Sequence, residues 1–280
     1  MTFRTIAEPA PAERVPDRPM GVRRFGRVNW LGLRTLATRE VMRFMAVWQQ
    51  TIFAPLMTAG LFVVVFALAL GQGRGEIMGL PYLVFLGPGI LMMTVIQNAF
   101  ANTSSSITAA KVQGNIVDTL MPPLSGGELL AGYLSGSVVR AGLVATVIGT
   151  GMVLVTGRGI AHPLWALGFV LLAALLMGGL GILAGIMAQK FDQMAAITNF
   201  IITPLSFLSG TFYSVDALPE PFNTLSHWNP VFYLIDGARY GVTGVGDAPP
   251  LRGFLICGAV VVLVLALALR WLKTGYRMKA

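Results

Sequence analysis

Polar side chains recur at helical spacing inside the apolar stretches of this chain. Thr94, Asn98 and Asn102 follow one another every four residues, with Gln97 beside them, so a helix places the three on one face. Polar groups within a bilayer must face protein or water. The stripe therefore either lines a path for a polar molecule or bonds neighbouring helices to each other, at about 0.6 kcal/mol for each bond.

A second polar set occurs further along the chain and allows the same two interpretations. Asn199, Thr203 and Ser206 recur at helical spacing in another apolar stretch. Pro204 lies among them and leaves a backbone carbonyl without its helical partner. The candidate path is therefore formed by both stripes, on two different helices.

Arg140 is a charged residue well inside a long apolar stretch. It follows Glu128 by about 18 Å of helical rise. An arginine facing lipid at the bilayer centre costs roughly 2.5–3.5 kcal/mol on insertion scales, so Arg140 must face a partner or a water-filled cavity. We expect a long helix with Arg140 near the inner membrane boundary, within reach of the headgroup of a transported molecule.

The elements that must position these side chains are membrane spans. The 280 residues are 55% hydrophobic and 11% charged, whereas an average soluble domain has roughly 25% charged residues. A helix needs about 20 apolar residues to cross the hydrocarbon core, and six segments qualify. The predicted spans are residues 48–70, 82–103, 129–156, 164–188, 195–212 and 254–271. The sequence therefore predicts an all-α integral membrane protein with six transmembrane helices.

The distribution of charge predicts the orientation. Nine arginines precede the first span, and four basic residues, Arg270, Lys273, Arg277 and Lys279, lie at the end of the last span and after it. By the positive-inside rule both termini are cytoplasmic, which an even number of spans permits. Basic flanks of this kind bind anionic lipid headgroups at about 1 kcal/mol per residue. We therefore expect membrane lipids as partners and no nucleic acid.

The ends of the chain differ in character. Residues 1–22 are rich in Pro, Ala and Arg and have little to bury, so they predict a disordered cytoplasmic tail. Next comes an amphipathic helical pattern with Arg39 and Arg43 opposite its apolar stripe, typical of a helix in the membrane interface. The alternative is a soluble helix packed on a partner. The stripe includes Trp30, Leu33, Ala37, Val41 and Phe44.

The connection between the second and third predicted spans, residues 109–128, contains a short amphipathic segment. Pro122 and Pro123 cannot continue a helix, and Ser125 with Glu128 has the spacing of a capping box that starts a new one. This connection is either an ordinary loop or a docking helix on the cytoplasmic side. The segment has apolar Ile116, Val117, Leu120 and Met121 and polar Asn115, Asp118 and Thr119.

The predicted outside connection, residues 214–250, is not simply a polar loop. Asn229 and Pro230 can cap and start a helix, but residues 230–241 are too few to span a bilayer. We therefore predict a short re-entrant or interfacial helix. Asp236 and Arg239 lie three residues apart within it and can pair to steady the turn.

Motifs for chemistry are missing from the sequence. There is no G-x-x-x-x-G-K-[ST] loop for a nucleotide triphosphate, no H-E-x-x-H and no G-x-S-x-G. One cysteine excludes a disulfide within the chain, and with two histidines a metal site is not expected. We therefore expect a chain that is not an enzyme by itself and holds neither cofactor nor metal.

The order of these parts resembles the type-2 permeases of ATP-binding-cassette (ABC) exporters, which move drugs, lipids or polysaccharides outward. The matching segments are residues 81–106, 110–136, 190–219 and 225–241. The resemblance implies a permease domain over residues 23–280 in a bacterial inner membrane. It also implies a homodimer with two copies of a separate ATPase subunit, which binds ATP and Mg.

In that family an N-terminal interfacial helix and the first cytoplasmic loop contact the ATPase. The resemblance therefore implies that residues 115–121, as a coupling helix, and residues 30–44 contact the partner, and that the polar residues of the two stripes line the path. Two other classes stay open, an ion-coupled secondary transporter and a non-transporting membrane anchor. An ion-coupled transporter is expected to carry acidic residues inside its spans, and Asp236 at an edge is the nearest example.

Overall fold

The computed structural model describes residues 26, 28–70 and 76–277. The predicted tail, residues 1–22, lies outside these described residues. The described part of the chain is built of helices, with a single isolated bridge between Ile77 and Leu80. This agrees with the predicted all-α class.

Eleven α-helices follow one another in the described ranges, and π or 3-10 turns extend some of them. The α-helices are α1 Trp30–Met45, α2 Ala54–Leu70, α3 Tyr82–Val112, α4 Ile116–Leu120, α5 Gly126–Thr156, α6 Pro163–Met187, α7 Phe191–Ile197, α8 Thr203–Leu208, α9 Phe222–His227, α10 Pro230–Thr243 and α11 Pro250–Thr274. The π turns are Gln49–Phe53, before α2, and Thr198–Ile202, between α7 and α8; the 3-10 turn is Val215–Ala217.

Five helices in the described part of the chain are long and apolar enough to cross a membrane. They are Gln49–Phe66, Tyr82–Val112, Gly126–Thr156, Pro163–Met187 and Pro250–Thr274, and they coincide with five of the six predicted spans. The sixth, residues 195–212, is not one of them. The chain there is divided among α7, a π turn and α8, and the apolar pattern does not continue through one regular helix.

Helix ends follow from local sequence. The predicted capping box at the start of α5 is confirmed: the Ser125 backbone N–H donates to Glu128 Oε2 at 2.6 Å, and the Glu128 N–H donates to Ser125 Oγ at 3.4 Å. Gly157 ends α5 with φ of 65°. The 31 residues of α3 are about 46 Å long, which exceeds the roughly 30 Å of hydrocarbon. α3 therefore continues nine residues past its predicted end and reaches α4.

The buried centre of the molecule is formed by α3 and α6, while α2, α5 and α11 are largely exposed. Glycines allow the closest approaches. A Cβ at Gly181 on α6 would meet Thr103 and the Phe100 carbonyl on α3, and one at Gly136 on α5 would meet Glu40 on α1 and Asn102. Gly132 and Gly185 lie at similarly close approaches, to Leu36 of α1 and to Ile107 of α3.

Candidate functional site

The predicted coupling helix is present as α4, with Asn115 at its N-cap and Met121 at its C-cap. Ile116 and Thr119 are buried against the rest of the chain. Its exposed apolar side chains are Val117, Leu120 and Met121, at 51%, 37% and 76% exposure, and Asp118 is exposed beside them. The predicted division of the helix was therefore wrong in detail: apolar Ile116 and polar Thr119 both face inward. α4 presents an unpartnered apolar edge.

The predicted interfacial helix is present as α1, but its buried stripe differs from the prediction. Phe44 is buried, as predicted, whereas Trp30 is 72% exposed and Leu33 and Val41 are half-buried. The buried positions between them are Leu36 and Glu40, and Glu40 is completely enclosed. Hydrophobic periodicity did not predict the burial of Glu40. The reason is that α1 packs on the glycines of α5, where a charged side chain that has hydrogen-bond partners can be enclosed.

Glu40 is the centre of a hydrogen-bonded network that we call the Glu40 cluster: Arg39, Glu40, Arg43, Asn102, Ser105, Ser106 and Thr119. Ser106 Oγ donates to Glu40 Oε1 at 2.8 Å. Arg39 Nη2 donates to Oε1 at 3.1 Å and Arg43 Nη2 to Oε2 at 3.2 Å. Both arginines therefore turn towards the buried carboxylate, and the prediction that they point away from the packed face was wrong.

The Glu40 cluster connects three helices. Arg39 Nη1 donates to Thr119 Oγ1 of α4 at 2.8 Å. Arg43 Nη2 donates to the Asn102 carbonyl of α3 at 2.6 Å, and its Nη1 donates to Ser105 Oγ at 3.2 Å. Arg39, Glu40 and Arg43 therefore link α4 to α1 and α3 through side-chain hydrogen bonds. The sequence signal for the cluster is Glu40 flanked by Arg39 and Arg43.

The α3 stripe is on one buried face, as predicted. Thr94, Asn98 and Asn102 are buried, and Gln97 beside them is half-buried. Thr94, Gln97 and Asn98 line one cavity of about 240 Å³ between α2 and α3. Asn102 instead accepts from Arg43 in the Glu40 cluster. The structure thus places three of the four predicted residues around this cavity.

Arg140 is joined to this cavity through Asn98. The Asn98 side-chain oxygen accepts from Arg140 Nε at 3.1 Å and from Nη2 at 2.7 Å, while its Nδ2 donates to the Thr94 carbonyl at 2.9 Å. Asn98 is thereby fixed in one orientation. The expectation that Arg140 faces a partner is confirmed, and that partner is an amide.

The residues of the second predicted stripe do not lie around one cavity as those of the α3 stripe do. Asn199 is exposed on the π turn, Thr203 is half-buried, and Ser206 is buried with its Oγ donating to the Ile202 carbonyl at 2.7 Å. None of the three lines the cavity between α2 and α3. The wider π turn changes the angle between successive residues, so spacing by α-helical period does not keep them together. Their assignment to a path stays a prediction.

A separate charged cluster holds α10 at the other end of α3. The predicted pair is confirmed, with Arg239 Nη1 and Asp236 Oδ1 3.6 Å apart. Asp236 also accepts from the backbone N–H of Asp247 at 2.8 Å and of Ala248 at 2.9 Å. Arg239 donates to the Gly210 carbonyl, and its guanidinium lies 4.0 Å from the centre of the Phe85 ring. We call Asp236 and Arg239 with these partners the Asp236 cluster.

Both charged residues of the Asp236 cluster are almost completely enclosed. Burial raises the pKa of the Asp236 carboxyl, and the backbone N–H of Asp247 and the charge of Arg239 act in the opposite direction. The two charges are paired within the protein, although Nε and Nη1 of Arg239 have no hydrogen-bond partner among the described residues. It fixes α10 and the loop before α11, and it offers no open position for a ligand.

The long α3 joins the two charged clusters, and the short exposed α4 and the cavity lie beside it. The ABC-2 type transporter family model matches residues 32–243, so this chain belongs to that family. It is 37% identical over 238 residues, 85% of this chain and 91% of the relative, to inner membrane transport permease YadH of Escherichia coli strain K12. It is 26% identical over 230 residues, 78% of this chain and 84% of the relative, to nodulation protein J of Rhizobium leguminosarum bv. viciae.

These findings fix the class of the protein. It is a membrane transport permease subunit, and with its membrane-spanning helices it is a multi-pass inner-membrane protein. The ABC-2 family implies an ABC ATPase partner in general.

Proposed function

We propose that this chain is the membrane subunit of an ATP-driven exporter that moves an amphipathic substrate out of the cytoplasm. The energy comes from a separate ATPase subunit, which binds ATP and Mg; the chain itself is not catalytic. The single observation that carries this proposal is the unpartnered apolar edge of α4, whose inward side is tied to α3 through the Glu40 cluster.

The edge of α4 is the surface that the ATPase contacts. The three exposed apolar side chains of this short helix form an apolar surface. Burying that surface against a partner contributes roughly 25 cal/mol of binding free energy per Å². Leu120 and Met121 lie next to the prolines that end α4, so the position of the edge is fixed. Contact with an ATPase can move α4 only if the two ATPase states bind it with different free energies.

The Glu40 cluster transmits that movement to the transport path. Arg39 donates a hydrogen bond to Thr119 of α4, and both arginines donate to Glu40. Arg43 also donates to the Asn102 carbonyl of α3. Asn98, one helical turn away from Asn102 on α3, lines the cavity. A shift at α4 therefore changes the wall of the cavity.

The assembly that fits this arrangement is a homodimer with two ATPase subunits. The cavity opens at the face of α2, which is little covered within one chain, and Asn199 is exposed on the π turn between α7 and α8. Polar groups at membrane depth must face protein or water, so a second copy completes the path. Both termini and α4 are then cytoplasmic, α7 to α8 supplies the sixth span, and α10 lies as a re-entrant helix on the outside.

An ion-coupled transporter fits the described residues less well. Within the five candidate spans of the described chain the acidic residue is Glu128, and its carboxylate is used in the capping box. A protonatable or ion-binding acid in the middle of a span is therefore missing from these helices. The name of one relative, an inner membrane transport permease, also favours a transporter over a plain anchor.

The proposal is tested by placing a charge on the edge of α4. With Leu120→Glu, we expect the ATPase to stop co-purifying and ATP-dependent flux in vesicles to disappear, because a carboxylate cannot be buried unpaired in an apolar contact. Membrane insertion should persist. Gln113→Glu is the matched control, since it adds the same charge at an exposed position outside α4 and should retain the ATPase. Normal co-purification with Leu120→Glu would refute the docking role.

A further inference from the structure

The cavity between α2 and α3 has polar groups without partners on one part of its wall and apolar side chains on another. Gln50 and Gln97 line it, and neither side chain forms a hydrogen bond within the described residues. Phe62, Ile90 and Met93 also line it, and no carboxylate does. A space of this kind suits a molecule with a polar head and an apolar tail.

Behind the cavity lies a positive charge without a counter-ion. Arg140 is 8% exposed, and its side-chain hydrogen bonds within the described residues all go to Asn98. Its Nη1 donates to no atom there, and no carboxylate of the described residues is within ion-pair distance. Charged residues in membrane spans are costly and are normally paired, so an uncompensated guanidinium beside a cavity points to a ligand that supplies the missing charge.

The nearest acid does not supply it. Glu40 is shared between Arg39 and Arg43, and Arg43 is close enough for its own charge to act on Arg140. Three guanidinium groups therefore lie in this part of the bundle with one carboxylate among them.

We propose that the cavity selects amphiphiles with an anionic head group, and that Arg140 and Asn98 set this preference. This inference rests on the proposed function, since it names the substrate class for the same path. The head group accepts from the amides of Gln50 and Gln97, the tail lies against Phe62 and Ile90, and the charge of Arg140, held behind Asn98, attracts the anion. Charge-assisted hydrogen bonds of this kind are about twice as strong as neutral ones.

The test measures binding to the full chain in nanodiscs of zwitterionic lipid, without the ATPase. Three fluorescent probes share one alkyl tail and carry a phosphate monoester, a phosphocholine or a glucoside as head group. Fluorescence anisotropy should show the phosphate probe binding at least tenfold more tightly than the other two. Equal affinity for the three probes would overturn the proposal on the native chain alone.

Three variants locate the preference. Arg140→Gln should reduce the difference in affinity between the phosphate probe and the other two probes to less than threefold. Arg252→Gln, which removes an exposed arginine of α11, should leave that difference unchanged. Asn98→Asp keeps an oxygen acceptor for Arg140 but adds the missing counter-ion, so it should remove the preference without leaving the guanidinium unpaired. A tenfold preference that survives Arg140→Gln or Asn98→Asp would contradict the assignment.

A further competition distinguishes an amphiphile from a free anion. Inorganic phosphate at the concentration of the probe should not displace the phosphate monoester, because it cannot use the apolar wall. Displacement would contradict the amphiphile assignment. Since these measurements involve no ATPase, a failure here is separate from a failure of Leu120→Glu to abolish co-purification, which concerns the proposed function.

Discussion

The two charged clusters at opposite ends of α3 both pair a buried carboxylate with arginine but differ in what they connect. In the Asp236 cluster both the carboxylate and the guanidinium are enclosed, and the bonds run within α10, to the loop before α11 and to the turn at Gly210. In the Glu40 cluster the carboxylate is enclosed, but the side chains of Arg39 and Arg43 are 46% and 33% exposed. The first cluster is sealed and the second is open.

This difference indicates which cluster anchors the helices and which one transmits movement. A sealed pair is costly to break, because the remaining charge has no access to water. An open pair can exchange its bonds with water at low cost. The Asp236 cluster therefore suits a fixed end of the bundle, and the Glu40 cluster suits an end that moves with α4.

The largest effect is expected from breaking the sealed cluster. Asp236→Ala leaves Arg239 buried without its carboxylate and frees the N–H groups of Asp247 and Ala248. Breaking such a pair costs about 3–5 kcal/mol. Thermal unfolding in detergent should show a large loss of stability or no folded protein. Asp216→Ala, at an exposed acid of the same region, should change stability by less than about 0.5 kcal/mol. A similar stability for both variants would remove the distinction between the clusters.

A smaller effect on stability and a larger one on function are expected from Glu40→Gln. The amide keeps the size of the side chain but loses the negative charge that holds two partly exposed arginines. Unfolding should shift by less than in Asp236→Ala, since the arginines remain accessible to water. ATPase co-purification should persist, while the flux per ATP hydrolysed falls several-fold. If flux and hydrolysis fall together with loss of the ATPase, Glu40 positions the docking surface and does not transmit.

Hydropathy and local signals predicted much of this fold. The spans that became α3, α5, α6 and α11 are long apolar runs, and the start of α5 follows from Ser125 and Glu128. The Asp236 and Arg239 pair was predictable because it is local. These features depend on nearby residues, which the sequence shows directly.

The rest depends on which helices meet. Periodicity assigns charged residues to the outside, so the burial of Glu40 could not be predicted before α1 was placed on Gly132 and Gly136 of α5. The bond between Arg39 and Thr119 joins residues 80 positions apart. The cavity requires α2 beside α3, and the second polar stripe was predicted for a regular helix that the π turn interrupts. Long-range packing decides each of these features.

The smallest change, Thr119→Val, tests transmission most directly. It removes the hydroxyl that accepts from Arg39, a bond worth about 0.5–1.5 kcal/mol. It keeps the shape of a buried side chain that itself faces away from the exposed edge of α4. The measurement is the ratio of substrate flux to ATP hydrolysis in vesicles containing the assembled complex. We expect a lower ratio in Thr119→Val with normal ATPase content, and a ratio near that of the native chain in Thr119→Ser. An unchanged ratio in Thr119→Val would contradict transmission from α4 through the Glu40 cluster.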